Sequence, residues 1–142
     1  MTNLPMKWAL LILIGSATAA VTADGLPPAY ECSFEQGNSW SYDGGKFASK
    51  IPSKLEFEIT TIDLEKQTAV LNMDGKQAGS LRVVRALNAN SFLEVANEGF
   101  LNLTTVYDLD AVSQTYPAVH SRHFGVFGQP VVAQYVGSCK GK

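Results

Sequence analysis

Two histidines and an arginine fall within four consecutive residues, His120, Arg122 and His123, in the segment AVHSRHF at 118–124. The chain has no other histidine, and no other arginine after Arg85. Imidazole moves protons near neutral pH and ligates metals, while guanidinium offers a planar fork of donors to a carboxylate or phosphate. Which chemistry is open depends on the backbone. On a helix His120 and His123 would share a face and could grip a metal. On a strand the side-chain period is 2, so His120 and Arg122 share a face and His123 points away. Zinc is usually held by three or four ligands, so the strand reading leaves no metal site, and no other cofactor signature is present. It leaves one histidine packed inside and one solvated, with His120 and Arg122 either holding an anion or cross-linking strands through Glu94 or Asp108. Tyr107 and Tyr135 are candidate neighbours for that pair. An unpaired buried arginine is costly, so Arg122 needs a partner if it faces inward.

Other chemistries find little support. Ser121 adjoins His120, but neighbours on a strand point apart and cannot share a proton. No nucleophile elbow, Cys–His pair or metalloprotease motif occurs. Asp108 and Asp110 open like a calcium loop, yet Val112 stands where a third oxygen ligand belongs. Asn102-Leu-Thr104 fits a glycosylation acceptor but lies within a strand-like run.

The elements that must position these groups read as strands almost throughout residues 29–139. In 54–60 (KLEFEIT), Leu55, Phe57 and Ile59 alternate with charged residues, as in an antiparallel sheet with one dry face. Tyr30, Cys32 and Phe34 share a face; so do Ala69, Leu71 and Met73, and Leu81 and Val83. Leu101, Leu103, Thr105 and Tyr107 share another. Turn signals fall at 36–38, 43–45, 63–67, 74–75, 88–90, 97–99 and 125–130, with a loop at 108–115. Asp74-Gly75 is the strongest hairpin signal. The aromatics Trp40, Tyr42, Phe57, Phe92, Phe100, Tyr107, Phe124, Phe127 and Tyr135 are assigned mainly to the core. About eight short strands with hairpin-length turns predict an all-β domain, a small antiparallel meander barrel (lipocalin-like), with a β-sandwich as the alternative. Such a barrel is either filled or leaves room for one small ligand.

Length and composition bound the rest. With 142 residues there is room for one domain. Residues 1–23 combine Lys7, a short apolar run and small residues before the end of the segment, a secretion signal followed by a domain at 24–142. The apolar run is shorter than the roughly 20 residues that span a bilayer, so no membrane span remains after cleavage. The two cysteines, Cys32 and Cys139, are expected to pair in an oxidising compartment, periplasmic or extracellular, and would draw the first and last strands together. The net charge is −2 with no basic cluster, which argues against nucleic acid and anionic membrane as partners.

The segment 118–123 (AVHSRH), with 128–130 (GQP), 134–139 (QYVGSC), 30–32 (YEC) and 103–106 (LTTV), resembles a family of small exported bacterial β-proteins to which no activity is attached. A looser likeness is to the periplasmic inhibitors of C-type lysozyme, small disulfide-tied β-barrels with a Tyr-x-Cys start. This chain is longer and lacks their Ser-Gly-containing loop, so no inhibitory residue carries over. The reading that results is a monomeric, non-enzymatic periplasmic binding module for a small ligand or an envelope protein, with His120, Arg122, Tyr107 and Tyr135 as the candidate site. The alternatives are an inhibitor of a hydrolase such as lysozyme, acting through loop 108–115, and an enzyme with a histidine acid–base group.

Overall fold

A computed structural model describes residues 25–96 and 99–142. The expected leader lies outside these residues, as does part of the turn at 97–99. The described chain forms nine strands, β1 (Tyr30–Asp43), β2 (Lys46–Lys50), β3 (Leu55–Asp63), β4 (Thr68–Met73), β5 (Lys76–Ala86), β6 (Ala89–Val95), β7 (Leu101–Tyr107), β8 (Tyr116–Val126) and β9 (Gln129–Gly141). They run antiparallel in the order β2-β1-β3-β4-β5-β6-β7-β8-β9, and β1 also pairs with β9. Eight strands therefore close into a barrel, and β2 is an additional strand on the outer half of β1. Closure excludes the sandwich alternative.

Alternation explains which wall faces inward. Tyr30, Cys32 and Phe34 on β1, Leu55, Phe57 and Ile59 on β3, and Leu81 and Val83 on β5 are all buried. Phe92, Val106, Ala118, Ala133 and Tyr135 complete the wall. At one end Tyr30 packs edge-on against Tyr116 at 5.1 Å and Phe92 at 6.2 Å between ring centroids. Ile62 and Leu64 close over the same end. Full burial of a side chain of this size contributes roughly 1.5–3 kcal/mol, so these rings carry much of the fold's stability.

Cys32 and Cys139 are directly opposed partners on β1 and β9 and form a disulfide with a Cα–Cα distance of 4.0 Å. The bridge lies inside the barrel, at the seam where the sheet closes.

Three two-residue hairpins, Gly44-Gly45, Asp74-Gly75 and Phe127-Gly128, have positive φ at both central residues. That is the backbone of a type I′ turn, whose twist matches the flanking strands. Two turns expected from sequence are strand instead. Residues 36–38 lie within β1 and pair with β9, past a register shift between Ser33 and Gln36. Glycine at 37 permits this, because a Cβ there would stand 2.7 Å from the Gln134 carbonyl oxygen and 2.9 Å from Tyr135 Cδ1. Residues 125–130 likewise pair as Gly125–Pro130 and Val126–Gln129, leaving Phe127-Gly128 as the whole turn.

The extra lengths of β1, β8 and β9, with β2, continue beyond the closed barrel. They form a four-stranded canopy at the end opposite the tyrosine plug.

Candidate functional site

Antiparallel register sets the inward side chains in transverse rows, and three of these rows build the open end. The deepest crosses six strands through Val83, Phe92, Thr104, His120, Tyr135 and Gly37. The next contains Glu94, Asn102, Arg122, Ala133, Ser39 and Lys50. Above it, on the canopy, lie Phe124, Val131, Ser41 and Ala48.

In the deepest row His120 is 5% exposed. Its ring is surrounded by Phe57 at 5.3 Å, Phe34 at 5.7 Å and Tyr135 at 5.9 Å between centroids. Nδ1 lies 2.8 Å from Thr104 Oγ1. Nε2 is buried with no hydrogen-bond partner among the described residues. Burial, and secondarily the positive charge of Arg122, holds the imidazole pKa down at about 4. His120 is therefore neutral at physiological pH.

This has a consequence for stability. Between pH 6.5 and 4 the unfolded chain takes up a proton that the folded chain refuses. Stability from this site is full above pH 6.5 and falls by about 3 kcal/mol as the pH drops through 4. Urea unfolding across that window is expected to show the loss, and His120→Gln is expected to flatten it. An unchanged slope in the variant would remove His120 as the source.

One row outward, Arg122 is half-buried. No ion pair reaches it within 4 Å among the described residues. Asn102 lies between it and Glu94, donating from Nδ2 to Glu94 Oε2 at 2.7 Å. Glu94 in turn lies over Gly79, where a Cβ would meet Oε1 at 2.2 Å. The carboxylate is thus tied to Asn102 and Gly79 on the β5–β7 side of the mouth. Beneath this row His120, Thr104, Arg122, Asn102 and Glu94 border a cavity of about 20 Å³ whose other walls are apolar. That is room for about one water-sized group. The barrel is filled rather than hollow.

A larger space than this cavity lies under the canopy. A cleft of about 430 Å³ is lined by Ser39, Ser41, Lys50, Phe124, Val126 and Val131, among others. Ligand pockets commonly measure roughly 300–1,000 Å³, so the cleft is large enough to hold a small molecule. Phe124 stacks on Phe100 at 5.1 Å, with their planes 15° apart. Phe127 at the hairpin tip also borders the cleft and is fully exposed.

The structure brings together three of the four candidate residues. His120 and Tyr135 are cross-strand partners, and Arg122 follows His120 on the inner face. Tyr107 is separate: it points outward from β7, 44% exposed, because Thr104 and Val106 take the inward positions of that strand. His123 is exposed on the outer wall, opposite to His120, as strand alternation requires. Asp108 lies toward the plugged end and does not meet Arg122.

No family model, curated protein or solved structure matches this chain.

Loop 108–115 is braced by Asp110. Its carboxylate accepts hydrogen bonds from the backbone of Ser113 at 2.8 Å and Val112 at 3.5 Å, and its backbone bridges to Thr115. The Ser113 side chain, and then those N–H donors, hold the Asp110 carboxyl below its usual pKa. The sequence reading did not single out Asn102, Ser39, Lys50, Phe124 or Val131 as binding residues. A faint signal was present: Asn102 sits at an inward position of β7, where a core strand would carry an apolar residue. The assembly of the cleft depends on β1 continuing through residues 36–38, which the turn-like Gln36-Gly-Asn38 concealed.

Proposed function

We propose that this protein is an exported, non-enzymatic binding module that takes a small, largely apolar molecule at its open end. One observation carries the reading: above a filled barrel, the canopy presents a cleft of about 430 Å³ whose inner face places Phe124, Val126 and Val131 beside the hydroxyls of Ser39 and Ser41. An apolar concave surface with a few polar groups is the usual composition of a ligand site. His120 supports the non-enzymatic reading, since aromatic rings enclose it and Thr104 engages its Nδ1. The disulfide supports export to an oxidising compartment, the periplasm or outside the cell. No helix of the described residues is long and apolar enough to cross a membrane. The protein acts in this reading as a monomer.

The test is titration with N-phenyl-1-naphthylamine, an uncharged dye that brightens in apolar surroundings. Saturable binding is expected at micromolar dye, weakened at least about tenfold when Val126 and Val131 are both replaced by serine, the loss expected for removing about 1.5 kcal/mol of apolar contact. Absence of saturable binding, or equal binding by the doubly substituted protein, would sink the assignment of the cleft.

A further inference from the structure

We infer that the ligand is a single-chain anionic amphiphile, held head-down with its carboxylate or phosphate between Arg122 and Lys50. This rests on the binding reading above and adds the chemistry and orientation of the ligand. Arg122 and Lys50 occupy the same transverse row, on β8 and β2, separated by Ala133 on β9 and Ser39 on β1. All four side chains belong to the inner face; Ser39 and Lys50 line the cleft directly, and Arg122 borders the small cavity immediately beneath it. Two cations therefore flank a floor made of the smallest side chains in the row.

The local electrostatics favour one sign of charge. Arg122 is half-buried without an ion pair within 4 Å among the described residues, a state that an incoming anion would relieve. The carboxylate in its row, Glu94, stands two strands away and accepts from Asn102, and it borders the cavity beneath the row rather than the cleft. Asp43, the acidic residue that does line the cleft, stands near its upper rim at the β1–β2 turn, away from the floor. A bidentate carboxylate or phosphate matches the guanidinium fork, and Lys50 supplies a second, more mobile charge. Immediately above this floor come Phe124, Val131 and then Val126, so an alkyl chain leaving the head group would meet apolar surface at once. A ligand lying the other way would put its anionic head beside Asp43 at the rim and its tail against two cations.

The experiment is calorimetric titration of the intact protein with decanoate, decyl phosphate, decanol and decyltrimethylammonium, each below its micelle-forming concentration. Decanoate or decyl phosphate is expected to bind at least about tenfold more tightly than decanol, the ratio expected for one charge-assisted hydrogen bond, and the ammonium compound more weakly than either. Whichever of the two anions binds better identifies the head group. Arg122→Gln is expected to abolish the preference for the anion over decanol. Lys50→Gln, on an exposed strand, gives the same comparison at lower amplitude should the Arg122 variant fail to fold. Equal binding of decanol and both anions by the unaltered protein, with N-phenyl-1-naphthylamine still bound, overturns the anionic head but not the cleft. Failure of all four compounds and of the dye overturns both.

Discussion

Replacing both Cys32 and Cys139 by alanine is expected to lower the stability of the barrel by about 4–5 kcal/mol, the chain-entropy value for a loop of this length. The two sulfurs link residues 107 positions apart, so the bridge removes a large share of the disorder open to the unfolded chain. The native contacts should largely survive its loss. Both cysteines face inward at register-paired positions, and alanine fits there with a small cavity. Reductant should produce the same loss in the unaltered protein and none in the double variant. Denaturant unfolding, read with and without reductant, is the measurement. A loss below about 1 kcal/mol would mean that the β1–β9 pairing already confines the ends in the denatured ensemble.

The second large effect is expected at the same seam. Gly137→Ala should cost about 3 kcal/mol or more, because its Cβ would stand 2.1 Å from the Ser33 carbonyl oxygen and 2.8 Å from Phe34 Cα. Both are backbone atoms, so no side chain can turn aside. The crowding comes from the register shift between Ser33 and Gln36, which brings β1 close against β9. Gly125→Ala is the control. Its Cβ would meet only the Gln129 carbonyl oxygen, at 3.7 Å, an ordinary contact. It should change stability by no more than about 0.5 kcal/mol. Thermal or urea unfolding of the pair tests the seam directly. Similar stabilities for the two variants would show that the β1 bulge can shift to accommodate a methyl group.

The seam also shows what the sequence could and could not reveal. Alternation in 54–60 placed Leu55, Phe57 and Ile59 in the core, and the same rule separated His120 from His123. The cysteine pair followed from compartment chemistry and predicted that the first and last strands meet. What alternation does not supply is the side of the wall. Leu101, Leu103 and Tyr107 do share a face, as their spacing requires, but it is the outer one. The inner positions of β7 go to Asn102, Thr104 and Val106, because Thr104 must reach His120 and Asn102 must reach Glu94. Hydrophobicity alone ranks those two sets in the opposite order. Phe127, assigned to the core from its type, instead lies at a hairpin tip with positive φ. The row joining Lys50, Ser39, Ala133 and Arg122 draws on two hairpins at opposite ends of the chain, so only the three-dimensional register reveals it.

The cystine also makes the chain a covalent ring. Residues 32–139 form one closed circuit, and every hairpin and loop from the β1–β2 turn to the β8–β9 turn lies on it. A single proteolytic nick anywhere on that circuit, for instance in the exposed stretch 111–113, opens the ring without separating the fragments. In a protease-rich setting the protein could then be cut once and still migrate as one molecule until a thiol released the pieces.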